Sequence, residues 1–232
     1  MKLAIMQPYL FPYLGYFQLI AAVDKFVFYD DVNYIKNGWI NRNRLCIGGV
    51  PQYLTVPLAG ASPNQKINEV VVQADGVWRK KAIERLRHAY SKAPHFAAVN
   101  ALVADVLMAD EMSIAALAKK SILDICAYLS LDAEFVFSSA PYGNIDLSGQ
   151  ARVIDICRQE RADVYRNPPG GKDLYDAAAF AAAGIGLEFL NPALPGYRQF
   201  SSEFLPGLSI IDVLMFNDKA AVVEMLALAT AN

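Results

Sequence analysis

The sequence is poor in the side chains that most enzymes use to bind metals and move protons. Its 232 residues include two histidines, His88 and His95, and three cysteines that lie far apart in the chain. No CxxC pair, no other His/Cys metal-ligand spacing and no GxSxG motif is present, so we predict no zinc site and no histidine-based triad, and we assign no residue as a metal ligand. A catalyst built from this chain must rely on carboxylates, lysine, tyrosine and positioning.

Charged residues and long apolar runs are also scarce. Only 19% of residues are charged and the net charge is −2, which argues against a nucleic-acid partner. No apolar run approaches the roughly 20 residues that span a bilayer, and the first residues lack a signal-peptide pattern. We therefore predict a cytoplasmic protein with no membrane partner. The 55% hydrophobic content excludes disorder and fits a deep pocket or a homo-oligomer.

Strand and helix patterns alternate and predict a single α/β domain over residues 1–232, with a helical subregion at about 77–130. An apolar run at 3–6 that Pro8 ends, a helix at 15–22 and a strand at 25–29 make a βαβ opening with parallel strands. Gly48 and Gly49 predict a β-hairpin between the runs at 44–47 and 53–56.

Apolar residues at helical spacing predict helices over 77–90 and 114–129. Further helices are predicted over 149–161, over 174–183 and from 219, with strands at 67–72, 134–137, 164–165 and 185–190. Ser113, Ser148 and Ser209 are predicted N-caps. Cys126 and Cys157 lie on apolar helix stripes, which predicts buried thiols.

The first turn, Gln7-Pro-Tyr-Leu-Phe-Pro-Tyr-Leu-Gly-Tyr-Phe-Gln18, is poorly explained by folding alone. Ligands of open α/β sheets bind beyond the carboxyl ends of the strands, and this turn follows the first strand. Gly15 would let a substrate or phosphate approach the start of the next helix. We expect binding residues here, namely Gln7, Tyr13, Gly15, Tyr16 and Gln18. The alternative is that the prolines and Gly15 only shape a turn and the tyrosines only pack.

Asp30 and Asp31 end the second predicted strand and are candidate catalytic residues. Paired carboxylates suit Mg²⁺ or the orientation of an amine. Capping of a loop explains the pair equally well.

The stretch from Tyr34 to Arg44 is the richest polar segment in the chain. Its cations suit phosphates or carboxylates, its amides suit hydrogen bonding, and its tryptophan offers a stacking face. The candidate ligand-binding residues of this segment are Lys36, Trp39, Arg42, Asn43 and Arg44.

Two later segments are candidate anion sites. Ser138 and Ser139 end a predicted strand and Arg152 begins the next helix, although serine caps explain part of this pattern. The loop Asn167-Pro-Pro-Gly-Gly-Lys172 precedes a helix, and it offers Asn167, Gly170, Gly171 and Lys172 as a cradle for phosphate or carboxylate. Its glycine spacing does not match a P-loop.

The chain resembles the WbqC-like protein family over nearly its whole length. The resemblance is carried by the stretches MQPYLFPYLGYFQLI, VDKFVFYDDVNYIKNGWINRNR, SKAPHF, YRNPPGGKDLY and LSIIDVLMFN. It implies a place in bacterial surface-polysaccharide (O-antigen) biosynthesis. It also implies transfer of an aminoacyl group, with glycine as a candidate, to an amino sugar.

The opening turn is also similar to the HxGH turn of nucleotidylyltransferases and pantothenate synthetases, and residues 138–152 are similar to the SSRN-type segment of the latter. This implies a parallel-sheet, nucleotidylyltransferase-like (Rossmann-like) core with a β-hairpin insertion and additional C-terminal helices. It also makes ATP and Mg²⁺ candidate cofactors. Tyr13 and Tyr16 stand where both histidines would be, so the imidazoles that stabilise an α-phosphate are missing.

These resemblances lead us to expect a transferase that acylates or aminoacylates an amino sugar, with a nucleotide or amino sugar as its small-molecule partner. In this hypothesis Asp30 or Asp31 orients or deprotonates the amine, and Tyr16 and Lys36 are further candidate catalytic residues. A non-catalytic nucleotide-sugar-binding or scaffold protein is the alternative. A nucleotidyltransferase is the second alternative.

Overall fold

A computed structural model describes residues 1–232 and has a six-stranded sheet at its centre, beside a separate two-stranded hairpin. The strands are β1 (Lys2–Met6), β2 (Lys25–Phe28), β3 (Arg42–Ile47), β4 (Val50–Thr55), β5 (Glu134–Val136), β6 (Val164–Asn167), β7 (Gly186–Asn191) and β8 (Thr230–Ala231). The central sheet has the order β5-β2-β1-β6-β7-β8. All its neighbours pair in parallel except β7 and β8.

Eight α-helices surround the sheet and the hairpin. They are α1 (Leu14–Ala21), α2 (Val77–Tyr90), α3 (Phe96–Met108), α4 (Ile114–Leu129), α5 (Gly149–Gln159), α6 (Ala177–Ala182), α7 (Ile210–Phe216) and α8 (Lys219–Leu226). None of them combines the length and the apolar character that crossing a bilayer requires. The predicted α/β class, the β-hairpin and the C-terminal helices are confirmed.

The strand order reverses at the centre of the sheet. Numbered among themselves in chain order, the sheet strands are arranged 3-2-1-4-5-6, which is the Rossmann order. The chain runs from β1 outward through β2 to β5, then returns to the other side of β1 with β6. Loops that leave the carboxyl ends of β1 and β6 therefore diverge, and a crevice forms between them. The Rossmann-like core is confirmed.

Helices cover both faces of the sheet, as a parallel sheet requires. Successive residues of β1 alternate between the faces: Ala4 belongs to a core of 42 buried residues, and Leu3 and Ile5 belong to a core of 10. The larger core includes residues of α1, α4 and α8, and the smaller one includes residues of α5 and α6. Both cores meet at β1, so the residues that follow β1 are held from both sides.

The hairpin joins the rest of the chain through a buried carboxylate. Its turn has positive φ at Gly48 and Gly49, as the Gly-Gly pair predicted. The hydroxyl of Tyr90, at the end of α2, accepts the N–H of Cys46 at 2.8 Å and donates to Asp212 of α7 at 2.6 Å. Tyr197 also donates to Asp212, at 2.7 Å. These bonds fix the hairpin against α2 and α7.

Two parts of the predicted secondary structure are wrong. The predicted strand at 67–72 begins as a 3-10 turn, Ile67–Glu69, because the Glu69 carboxylate accepts the Lys66 N–H at 3.0 Å and closes the chain. Val71 and Val72 form only isolated bridges. The predicted helix at 174–183 is also displaced, since Pro169–Leu174 forms a 3-10 helix and α6 begins after the Asp176 cap.

The predicted caps are confirmed at two of three positions. Ser113 accepts the Ala116 N–H at 3.5 Å, and Ser209 accepts the Ile211 N–H at 3.3 Å. Ser148 makes no capping bond, so that prediction is wrong. The next residue, Gly149, has φ +52°, and this left-handed backbone turns the chain into α5 without a side-chain cap.

Cys46, Cys126 and Cys157 are buried free thiols. Burial raises the pKa of Cys126 and of Cys157 to about 12. At pH 8 only about one in ten thousand of these two thiols is therefore a thiolate, the form that reacts. We expect the folded protein to resist the thiol reagent DTNB at pH 8 and all three cysteines to react in guanidinium chloride. Rapid reaction of all three thiols in the folded protein would contradict this buried placement.

Candidate functional site

A cavity of about 800 Å³ opens at the carboxyl ends of β1 and β6, in the crevice where the strand order reverses. Ile5, Met6 and Gln7 line it from the end of β1, and Asn167 and Pro168 line it from the end of β6. Its volume is within the range of small-molecule sites. Position and size together make it the candidate functional site.

The cavity wall is aromatic and almost without charge. Six aromatic residues line it: Tyr9, Tyr13, Tyr16, Tyr29, Trp39 and Tyr175. Arg44 is its only charged lining residue, and no Asp, Glu, His, Lys or Cys lines it. Aromatic faces suit the flat surfaces of sugars and bases, and Arg44 suits an anionic group.

The turn that follows β1 holds a strained residue in place. Phe11 is fully buried and has φ +41°, a left-handed backbone that bulky residues rarely adopt. Its N–H donates to Ser121 Oγ of α4 at 2.9 Å, and its carbonyl accepts a hydrogen bond from Ser209 Oγ at 2.7 Å. Helix α4 and the residue before α7 thereby impose the shape of the turn.

Ile40, strand β3 and helix α7 also hold this turn. The Leu10 N–H donates to the Ile40 carbonyl at 3.2 Å, and Asn43 Nδ2 donates to the Leu10 carbonyl at 3.2 Å. The Ile210 N–H donates to the Pro12 carbonyl at 2.9 Å. Asn43 therefore lines the cavity and supports its wall.

Tyr13 and Tyr16, the positions of the HxGH histidines, have different surroundings. Tyr16 is buried, and its hydroxyl donates to the Gln7 carbonyl at 2.9 Å. The ring of Tyr13 lies on Gly15, where an added Cβ would come within 2.5 Å of the ring. Gly15 does not line the cavity, because the Tyr13 ring covers it. Burial raises the pKa of both tyrosines, so both are neutral hydroxyls at neutral pH.

Asp30 and Asp31 are buried beside the cavity but do not line it. Asp30 forms an ion pair with Lys119 of α4 and accepts a hydrogen bond from Ser138 Oγ at 2.7 Å. Asp31 forms an ion pair with Arg152 of α5 and accepts a hydrogen bond from Ser139 Oγ. Each carboxylate thus has a cation and a hydroxyl as partners.

These surroundings fit Mg²⁺ poorly, because a metal ion would have to displace Lys119 from Asp30 or Arg152 from Asp31. No group of three or more His, Cys, Asp or Glu side chains is gathered elsewhere in residues 1–232. The polyphosphate of ATP also fits poorly, since Arg44 is the only lining cation. The candidate cofactors therefore have no matching set of residues here.

Arg152 supports the cavity wall from behind. Its guanidinium lies 5.0 Å from the ring centre of Tyr29, a lining residue, and its Nε donates to Asn144 at 2.9 Å. Gly149 and Val153 of the same helix also line the cavity. The Asp31–Arg152 ion pair therefore positions Tyr29 and the start of α5.

The polar stretch before and within β3 divides into two groups. Trp39, Asn43 and Arg44 line the cavity, and the Arg44 guanidinium carbon lies 5.5 Å from the Trp39 ring centre. Arg42 instead donates to the Asn37 and Gly38 carbonyls and lies over the Tyr53 ring at 4.3 Å. Lys36 is exposed and lies outside the cavity lining.

In the second glycine loop, Asn167, Gly170 and Gly171 line the cavity. A Cβ at Gly171 would lie 1.8 Å from Asn167 Nδ2, so any larger residue there would have to displace the Asn167 side chain. Lys172 is not a lining residue, and its ammonium lies 5.7 Å from the Phe189 ring centre. This loop offers a close approach to the backbone but no cation.

The structure brings together nine of the residues that the sequence suggested: Gln7, Tyr13, Tyr16, Trp39, Asn43, Arg44, Asn167, Gly170 and Gly171. The remaining ones lie outside the lining: Gly15, Gln18, Asp30, Asp31, Lys36, Arg42, Ser138, Ser139, Arg152 and Lys172. Gln18 uses its amide to bind the Ala193 and Met225 carbonyls at 2.8 Å. Tyr9, Tyr29 and Tyr175 were missed, although Tyr9 lies in the opening turn and Tyr29 directly follows β2, so both carried a positional signal.

The hydrogen bond from the Phe11 N–H to Ser121 Oγ is expected to stabilise the folded protein. Replacing Ser121 with Ala leaves the buried Phe11 N–H without its acceptor, so we expect a loss of about 1–3 kcal/mol in the free energy of unfolding. Urea unfolding of Ser121→Ala measures this loss. The matched control is Ser202→Ala at an exposed position, which we expect to change stability by less than about 0.5 kcal/mol. Equal stabilities of the two variants would contradict the role of Ser121.

The family model described as the WbqC-like protein family matches residues 7–224, a span that holds all the lining residues except Ile5 and Met6. The uncharacterized protein Rv1507c of Mycobacterium tuberculosis is 33% identical to this chain over 220 residues, which is 93% of each protein. No solved structure matches the chain. The chain belongs to the WbqC-like protein family.

Proposed function

We propose that this protein is a transferase of nucleotide-sugar or surface-polysaccharide biosynthesis that joins an aminoacyl or acyl group, with glycyl as the first candidate, to the amine of an amino sugar. Membership of the WbqC-like family supports this proposal through the resemblance stated above. One observation carries it. The cavity has a single cation, Arg44, and no anionic lining residue.

An amine attacks an acyl carbon only as the neutral base. Burial in a site without a carboxylate disfavours an ammonium ion, so this cavity favours the nucleophilic form of a bound amine. The amine nitrogen forms a bond to the acyl carbon, and the bond to the leaving group breaks with its electron pair. The proton released by the nitrogen leaves with that group or with water.

Arg44 and the aromatic wall have complementary tasks in this reaction. The guanidinium holds a phosphate or carboxylate of the substrate, and Trp39 beside it offers a face for a sugar or a base. Burial raises the pKa of Tyr9 and Tyr13, which keeps both hydroxyls protonated at neutral pH. They are therefore available as donors to the oxygen that becomes negative during acyl transfer.

A nucleotide-sugar-binding or scaffold protein is the second candidate function. The observation that favours it is the lining itself, which contains no carboxylate, histidine, lysine or cysteine to act as a general acid or base. A nucleotidyltransferase is less well supported. Tyr13 and Tyr16 are neutral hydroxyls, so neither HxGH position presents a cation to a phosphate, and the Tyr16 hydroxyl is already bonded to the Gln7 carbonyl.

The test is a turnover assay with a nucleotide-linked 4-amino sugar. The purified protein is incubated with the sugar and activated donors, namely acyl-CoA thioesters that include glycyl-CoA. Free glycine with ATP is the parallel reaction without an activated donor, and mass spectrometry detects an N-glycyl or N-acyl product. We expect product from the activated donors, and we expect Trp39→Leu to raise KM for the sugar roughly tenfold because a stacking face is lost. Trp78→Phe, outside the cavity, is the matched control.

Binding of the nucleotide sugar without product from any donor would contradict the transferase proposal and favour the scaffold protein. Release of pyrophosphate from a nucleotide and a sugar phosphate would favour the nucleotidyltransferase instead. A KM that responds equally to Trp39→Leu and Trp78→Phe would place the sugar outside the cavity.

A further inference from the structure

Three buried side-chain atoms of the protein have no hydrogen-bond partner: Gln7 Oε1, Arg44 Nε and Asn100 Oδ1. Buried polar atoms in folded proteins are nearly always bonded, so each exception needs an explanation. Gln7 and Arg44 both line the cavity, and Asn100, in α3, does not. Two of the three unpartnered atoms therefore belong to residues of one site.

The two cavity atoms are chemically complementary. Arg44 Nε–H is a donor on a permanent cation, and Gln7 Oε1 is an acceptor on a neutral amide. Gln7 follows β1 and Arg44 lies in β3, so different elements of the fold bring them to the same cavity. A single ligand that offers an anionic acceptor and a neighbouring donor satisfies both atoms.

The guanidinium of Arg44 is fixed but not neutralised. Its Nη2 donates to the Gly207 carbonyl at 3.1 Å, and its carbon lies 5.5 Å from the Trp39 ring centre. Every ion pair of the protein involves other residues, and no carboxylate lines the cavity. The Nε–H therefore has neither an acceptor nor a counter-ion within the chain.

We propose that Gln7 and Arg44 form a two-point anchor for a substrate that carries a carboxylate or phosphate-ester oxyanion beside an N–H or O–H donor. The oxyanion binds the Arg44 Nε–H, and the donor binds Gln7 Oε1. Because one cation cannot balance a triphosphate, the anchor selects against ATP. The inference rests on the proposed function only where it identifies the anchored molecule as a substrate of the transfer.

The anchor is tested by binding and by stability, with Asn100 as the matched control. Gln7→Met and Asn100→Leu each replace an unpartnered buried polar atom with an apolar group in a side chain of similar shape, so we expect both to raise the melting temperature of the free protein. Only Gln7→Met removes a ligand contact. A site that gains stability when its ligand contact is removed is typical of function rather than folding.

Calorimetric titrations use glycine, inorganic phosphate and UDP-N-acetylglucosamine as probes, with ATP as a competitor. We expect Gln7→Met and Arg44→Gln to weaken binding roughly tenfold to hundredfold, Asn100→Leu to leave it unchanged and ATP to compete poorly. Loss confined to glycine identifies a carboxylate as the anchored group. Loss with inorganic phosphate and the nucleotide sugar identifies a phosphate ester.

Wild-type affinity in both Gln7→Met and Arg44→Gln, or no binding of any probe to the wild-type protein, would overturn the anchor. The transferase proposal is tested separately, by measuring turnover. Product formation with an unchanged KM in both variants would refute the anchor and leave the transfer intact. Binding that depends on both residues without turnover by the wild-type protein would refute the transfer and leave the anchor.

Discussion

The site depends on one backbone constraint, the left-handed conformation of Phe11 in the turn after β1. Pro8 and Pro12 remove backbone donors on either side, so the turn cannot bond to itself as a helix or hairpin would. Ser121 and Ser209, which lie 110 and 198 residues further along the chain, bind the two backbone groups of Phe11. The cavity wall that carries Tyr9 and Tyr13 therefore takes its final shape only once most of the chain is folded.

The strand order reverses beside this turn, so the turn faces a crevice, and nearby ion pairs hold the elements around that crevice in place. Asp30 and Asp31 follow β2 at the same edge of the sheet, yet Lys119 and Arg152 bind them. These two ion pairs, with the serine hydroxyls that follow β5, fix α4, α5 and the end of β5 around the crevice. The cavity is left with aromatic walls and one free cation, which sets the kind of ligand it accepts.

Periodicity predicted the regular elements well where a polar face contrasts with an apolar one, as in α2 and α4, whose predicted bounds match the structure. Helix α3 was missed because alanines rather than charged residues occupy much of its exposed side. The expectation that ligands bind beyond the carboxyl ends of the strands placed Gln7 and Asn167 at the correct edge of the sheet. It also selected Asp30, which lies at the same edge but does not line the cavity. That difference depends on partners such as Lys119, distant in sequence, which no local pattern reveals.

The lining composition also limits the chemistry that the proposed transfer can use. Formation of an amide from a free carboxylate needs a leaving group on the acyl carbon, and ATP supplies one only where its phosphates are bound. The cavity offers one cation and no carboxylate that is free to hold a metal ion. In the proposed reaction the acyl group must therefore arrive already activated, and the protein contributes desolvation of the amine, alignment by the aromatic wall and hydroxyl donors for the developing oxyanion.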